Sequence, residues 1–192
     1  MPDVTVRRAS EADRPAIADI LAEGYASFAD TAPHYHAWAT TPKLWARDAT
    51  EVFVAVDDDT DKVVGVVVLA LASTPLHESV DPPSNDAGFR LLAVAPQARG
   101  RGVARALVQA CLDAARAAGA HRVGIFTMDF MTTAQHLYER MGFDRRPDLD
   151  LEFPSGPGHG FTYDLTPDAA DHFAAPGPAP AAPPWYADVL RD

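Results

Sequence analysis

Gln97, Arg99, Gly100, Arg101 and Gly102 are the residues whose types and spacing point most directly to chemistry. Gly100 and Gly102 carry no Cβ, so the backbone there can approach a ligand closely. Arg99 and Arg101 add positive charge on either side of Gly100. Ahead of them, Leu91 to Ala95 is an uninterrupted apolar run of strand length, stopped by Pro96, which cannot donate to a ladder. Behind them the spacing turns helical: Val103, Ala106, Leu107, Ala110, Cys111 and Ala114 form one apolar stripe, with Arg105, Gln109, Asp113 and Arg116 on other faces. The first N–H groups of such a helix have no intrahelical partner and lie at the positive end of its dipole. Strand, glycine turn and helix start together make an anion site, most naturally for phosphate.

Three phosphate-binding patterns compete for this stretch. A Walker A loop needs Lys-Ser or Lys-Thr after its second glycine, and Val103-Ala104 stand there instead. A dinucleotide fingerprint needs a small third residue where Arg105 stands, although Asp129 after the next strand occupies the place of a ribose-binding acid. The third pattern, Gln/Arg-x-x-Gly-x-Gly/Ala, is met by Gln97, Gly100 and Gly102. With the preceding Leu92-Ala93-Val94 it closely resembles the acetyl-coenzyme A motif of the GCN5-related N-acetyltransferases (GNAT). A plain strand-to-helix turn would explain a lone pair of glycines but not this whole succession. The resemblance continues through a strand from Arg122 to Thr127, a short helix from Thr133 to Met141, and Leu137-Tyr138-Glu139-Arg140-Met141-Gly142-Phe143. It is strongest from Leu91 to Phe143; upstream it rests on the order of elements, and it does not reach past Pro167.

The whole chain sets the bounds for these residues. Its 192 residues suffice for one domain with one substantial core. No apolar run approaches the roughly 20 residues that span a bilayer. No apolar signal region follows Met1, which points away from secretion and toward the cytoplasm. A single cysteine, Cys111, excludes an internal disulfide, fits a reducing compartment and reads as packing. The net charge of −11 argues against general nucleic-acid or anionic-membrane binding. It mildly favours a cationic acceptor, though acidity also serves solubility.

The elements that must position the turn follow from local pattern. Val4 to Arg7 alternates as a first strand, Ser10 is a candidate helix cap, and Ile17, Ile20 and Leu21 form a buried helix face ending near Gly24-Tyr25. Phe28 to Trp45 reads as irregular and aromatic, with Phe28, Tyr35, Trp38 and Trp45 either lining a pocket or packing a second helix. His34 and His36 lack companion ligands and make a poor metal site, so no metal is expected. Glu51 to Val56 and Val63 to Leu71 form a hairpin around the solvated run Asp57 to Asp61. Thr74 to Ala87, with Glu78, Asp81 and Asp86, is a loop that enters the central strand above the chemistry. Asp144 to Leu151 and Gly160 to Leu165 read as a closing strand pair. The domain is expected to span residues 1–167. The Ala/Pro-rich tail at 168–192 is expected to be extended, docking through Trp185 and Tyr186.

The resemblance implies an α/β fold: a mixed, mostly antiparallel sheet splayed at its centre, with helices on both faces. It implies acetyl-CoA as co-substrate and a small-molecule or protein amine as acceptor, with no membrane or nucleic acid and homodimer formation left open. By the same resemblance, backbone groups of Leu92, Ala93 and Val94 hold the pantetheine and polarise the acetyl carbonyl. Gln97, Arg99, Gly100, Arg101, Gly102, Val103 and Ala104 take the pyrophosphate, and Tyr138 protonates the departing thiolate. Packing is the alternative for Tyr138, because it borders the stripe of Ala134, Leu137 and Met141. Family members often carry a Glu on the central strand, where this chain reads Ala87-Gly88-Phe89-Arg90. Asp86, Glu78 or Asp81 acting through water are the candidate bases, unless the amine loses its proton before binding. Asp148, Asp150 and Glu152 offer a cationic acceptor a binding edge, or are simply solvated. Two rivals remain: an acyl-CoA-binding sensor without turnover, and an enzyme using the glycine turn for a dinucleotide.

Overall fold

A computed structural model describes residues 3–41, 51–71, 86–153 and 156–166. Trp45, Glu78, Asp81, the tail at 168–192 and the side chain of Trp38 lie outside the described residues. In chain order the elements are β1 (Val4–Arg8), α1 (Arg14–Tyr25), α2 (Pro33–Thr40), β2 (Glu51–Asp57), β3 (Lys62–Ala70) and β4 (Ala87–Val94). They continue with α3 (Val103–Ala117), β5 (Arg122–Met128), α4 (Thr132–Met141), β6 (Asp144–Arg145), β7 (Leu151–Phe153) and β8 (Gly156–Asp164). The strands form one sheet in the order β1-β2-β3-β4-β5-β8-β6, with β7 also paired to β8. Only β4 and β5 run parallel; the other pairs are antiparallel.

β-Branched residues drive the centre of the sheet. In β3, Val64 and the run Val66 to Ala70 are buried, as a strand covered on both faces requires. The two faces are covered by different helices. A Cβ on Gly65 would meet Leu107 and Val103 of α3 at 2.9 Å, so α3 lies directly on that face. On the opposite face, the Cβ position of Gly24 in α1 lies 3.0 Å from the Cβ of Ala93. The buried positions of α3 are Val103, Leu107, Val108, Cys111, Leu112 and Ala115. Ala106, Ala110 and Ala114 of the expected stripe sit at its half-buried margin. Cys111 is fully buried, as expected of a packing residue, and burial holds its thiol pKa well above the ordinary value.

Three expectations are corrected. The stretch after α1 is not irregular: α2 forms there, and Tyr25, Phe28 and Tyr35 stack with ring centroids 5.7–6.1 Å apart. The closing strand from Asp144 to Leu151 is broken into β6, a 3-10 turn at Pro147–Leu149, and β7. Pro147 removes a ladder donor at the break. Ser10 caps a 3-10 turn, Glu11–Asp13, that feeds into α1, instead of capping α1 itself. Asp13 accepts from the Ser10 backbone at 2.6 Å and from both Arg7 guanidinium nitrogens at 2.7 and 2.9 Å, tying this turn to β1.

Candidate active site

The central pair of strands parts company early. β4 and β5 are paired only at Ala87–Val123 and Gly88–Gly124. At that apex the backbones are so close that a Cβ on Gly88 would lie 2.8 Å from the Gly124 carbonyl oxygen. Beyond it β5 stays with β8 as far as Met128, and β4 stays with β3 as far as Val94. Among the described residues, the edge of Leu91–Val94 that faces β5 therefore has no strand partner. β4 also carries one residue more than β3 between Arg90 and Ala93, opposite Val67. Leu91 takes up that bulge with φ of 54°, a left-handed conformation that costs a branched side chain energy. Bulges of this kind re-aim backbone groups, and strain of this kind concentrates at functional sites.

The gap is a cleft of about 80 Å³. Leu91 and Leu92 of β4, Phe126 to Met128 of β5, Tyr25 and Tyr35 from the first two helices, and Tyr138 of α4 line it. The Tyr25 hydroxyl donates to the Leu92 carbonyl at 3.4 Å, so α1 anchors the bulge directly.

After β4, Pro96–Ala98 makes a 3-10 turn and Gly102 caps α3. Gly100 and Gly102 have φ of 76° and 81°, the region in which glycine alone is unstrained. Gln97, Arg99, Gly100, Arg101 and Gly102 are exposed together, while Val103 is buried and Ala104 half-buried. Among the described residues other than its chain neighbours, no heavy atom lies within 4 Å of a Cβ built on Gly100. The Arg99 Nε donates to the Val94 carbonyl at 3.3 Å. Arg101 is tied down: it donates to the Asp57 carboxylate at 2.7 Å. Asp57 also accepts from the Thr60 backbone and hydroxyl at 3.0 and 2.9 Å. The run Asp57 to Asp61 is thus not uniformly solvated, because Asp57 is 5 % exposed. The Arg101 hydrogen bond holds the Asp57 carboxyl below the usual carboxylate range, and Asp57 raises the Arg101 guanidinium in turn.

Tyr138 is 6 % exposed. Its ring packs on Phe143 at 5.5 Å, Phe89 at 5.7 Å and Phe161 at 6.3 Å, and the residue also lines the cleft. Burial pushes its hydroxyl pKa above the ordinary tyrosine value, with smaller contributions from Tyr25 and Cys111. The phenol therefore holds its proton at neutral pH.

The acidic candidates are placed elsewhere. Asp86 is buried just before β4 and is not among the lining residues. Asp148 pairs with Arg146 at 2.5 Å and Asp150 with Arg145 at 2.6 Å, so neither is a free, solvated edge. Asp129 pairs with His159, which also meets an Arg145 nitrogen at 2.8 Å. His34 is exposed and His36 half-buried, and among the described residues no group of three His, Cys, Asp or Glu could hold a metal. Sequence reasoning passed over Tyr25, Thr127 and the Arg101–Asp57 pair. Tyr25 and Thr127 read there as the ends of a helix and a strand, and an ion pair across 44 residues leaves no local signal.

Comparison with known proteins agrees with this geometry. Residues 14–143 match the Acetyltransferase (GNAT) family. Among solved structures, the chain is similar to the GNAT family N-acetyltransferase YhbS from Escherichia coli in complex with CoA. The identity is 22%, the TM-score 0.69, and the match covers 95% of this chain and 91% of that one. It is also similar to the ribosomal-protein-alanine N-acetyltransferase from Brucella melitensis, with 21% identity, TM-score 0.61, and 83% and 99% coverage. The spermidine/spermine N-acetyltransferase SpeG from Vibrio cholerae is similar at 22% identity, TM-score 0.58, with 85% and 93% coverage. No curated protein sequence matches.

Proposed function

The chain belongs to the acetyltransferase (GNAT) family, and from that premise we propose how its residues divide the work of acetyl transfer to an amine. It is an N-acetyltransferase with acetyl-CoA as co-substrate. Acetyl-CoA, when bound, supplies the thioester whose acetyl group passes directly to the acceptor nitrogen.

Backbone N–H and C=O groups of Leu92, Ala93 and Val94 hold the pantetheine arm as an added strand along the partnerless edge of β4. The same groups, re-aimed by the bulge at Leu91, donate toward the acetyl carbonyl oxygen, where negative charge develops. Gln97, Arg99, Gly100, Arg101, Gly102, Val103 and Ala104 cradle the pyrophosphate, with the start of α3 contributing free N–H groups. Asp57 orients Arg101 and so holds the turn in register with the β2–β3 hairpin. Tyr138 gives its proton to the departing thiolate, and the proton that the acceptor nitrogen sheds on forming the amide restores the phenol. The burial that raises its pKa suits this role, because a thiolate in the same dry cleft is also driven to take a proton. The acceptor is a small-molecule or protein amine.

The observation that carries these assignments is the parting of β4 from β5 after Gly88 and Gly124, with Leu91, Leu92 and Tyr138 lining the opening. Calorimetric titration of acetyl-CoA with Gly102→Val tests the cradle. A folded variant that has lost affinity supports it; unchanged affinity removes it.

A further inference from the structure

We infer that Tyr25 is a positioning residue for acetyl transfer: its hydroxyl caps the Leu92 carbonyl, so that the edge of β4 presents N–H donors, and no bare carbonyl oxygen, to the thioester oxygen. The inference rests on the acetyl-transfer reading of the same cleft. Peptide groups alternate in direction along β4. The Ala95 N–H donates to the Val64 carbonyl of β3 at 2.9 Å, so the groups of Val94 point the other way, toward the gap. The carbonyls on the gap side are covered by side chains. Tyr25 donates to the Leu92 oxygen at 3.4 Å, and Arg99 to the Val94 oxygen at 3.3 Å. In an extended strand the N–H and C=O of one residue lie on the same side, so the Leu92 N–H faces the cleft that Leu92 lines. A bare carbonyl oxygen beside that N–H would repel the negative charge that develops on the acetyl oxygen. A capped one repels it less, and the cap is in place before the reaction begins.

Several contacts fix Tyr25 for this task. Gly24 carries no side chain, and its Cβ position lies 3.0 Å from the Ala93 Cβ, so α1 approaches β4 closely just before Tyr25. The ring centroids of Phe28 and Tyr35 stand 6.1 and 5.7 Å from that of Tyr25. The Tyr35 hydroxyl donates to the Tyr25 oxygen, which strengthens the Tyr25 O–H as a donor to Leu92. Burial raises the Tyr25 pKa above the ordinary tyrosine value, and the Tyr35 hydrogen bond offsets only part of this. The phenol is therefore a donor at neutral pH and no base. Leu91, next to Leu92, holds φ of 54°, and such strain persists where neighbouring contacts over-determine it. The Tyr25 hydrogen bond is one of those contacts.

Infrared difference spectra of acetyl-CoA carrying carbon-13 at the acetyl carbonyl test this without an acceptor, with acetyl-CoA calorimetry and melting on each variant. Bound to the parent, the labelled stretch is expected at lower wavenumber than in water, the mark of a polarised carbonyl. Tyr25→Phe, which keeps the ring, loses most of that shift. Its acetyl-CoA affinity changes by less than about tenfold, the reach of one ordinary hydrogen bond. Tyr35→Phe loses a smaller part of the shift. Asp13→Asn, which loosens the turn at the other end of α1, keeps the whole shift. A Tyr25→Phe variant with the parent's shift overturns the inference. So does one that no longer binds acetyl-CoA, which would make Tyr25 part of the binding scaffold. An equal loss in Asp13→Asn overturns it as well, because the effect is then a general loosening of α1. A parent that binds acetyl-CoA without moving the stretch overturns the polarising edge and this inference with it. A parent that binds no acetyl-CoA overturns the acetyl-transfer reading itself.

Discussion

Tyr138 is packed into the core and lines the cleft as well. Its ring is fixed by Phe89, Phe143 and Phe161, and its hydroxyl edge belongs to a cleft. Tyr138→Phe keeps the ring, so acetyl-CoA affinity and melting temperature should hardly change. Turnover should fall by about 10²–10⁴-fold, the usual cost of losing a positioned general acid. Full activity would assign Tyr138 to packing alone. At Gly102, with φ of 81°, a valine would have to adopt a conformation costing about 1–2 kcal/mol or more. Because Gly102 is exposed, the expected result is a folded protein with weakened coenzyme A binding, read by calorimetry. Both positions stand out in the sequence because the family pattern marks them locally. The contact of the Tyr25 hydroxyl with the Leu92 carbonyl did not, since it joins residues 67 positions apart and has no local signature.

Among the elements, the β2–β3 hairpin turns out to brace the cofactor turn. Asp57→Asn should leave the turnover number nearly unchanged while raising the KM for acetyl-CoA several-fold. Asp57→Glu should restore part of the loss if reach to Arg101 is what matters. The pH dependence has a definite sign. A carboxyl whose folded pKa is depressed stabilises fully above its unfolded pKa, and that contribution is lost as pH falls through the folded value. Asp57, held down by Arg101, and Asp13, held down mainly by Arg7, both act in this sense. The melting gap between parent and either Asn variant should therefore be widest above the usual carboxylate range and close on acidification. The apex of the splay is equally specific. Gly88→Ala pushes a methyl against the backbone of Gly124, and should destabilise by about 1–3 kcal/mol in chemical denaturation. Element identities were readable where periodicity was clean, as in α3, or where β-branched residues ran together, as in β3. The sequence misled where a proline cut a strand at Pro147, and where aromatic residues concealed α2.

For the whole molecule, the order of elements and the parallel pairing of β4 with β5 set the outcome. Among the described residues the one parallel pair is two residues long, and the cleft lies where it ends. The general architecture was legible because strand, glycine turn and helix occur in a recognisable succession. The position of the opening was not, because it depends on β5 choosing β8 over β4, a non-local pairing. Among the described residues no helix is long and apolar enough to cross a membrane, as the hydropathy of the chain had indicated. The central claim is that the free edge of β4 and the glycine turn receive the cofactor. Hydrogen exchange, resolved by residue and compared with and without saturating coenzyme A, tests this most directly. Slowed exchange confined to the amides of residues 91–94 and 99–104, with β1 and β2 unaffected, is the expected result. Exchange in β4 that stays unchanged while coenzyme A is bound would contradict it.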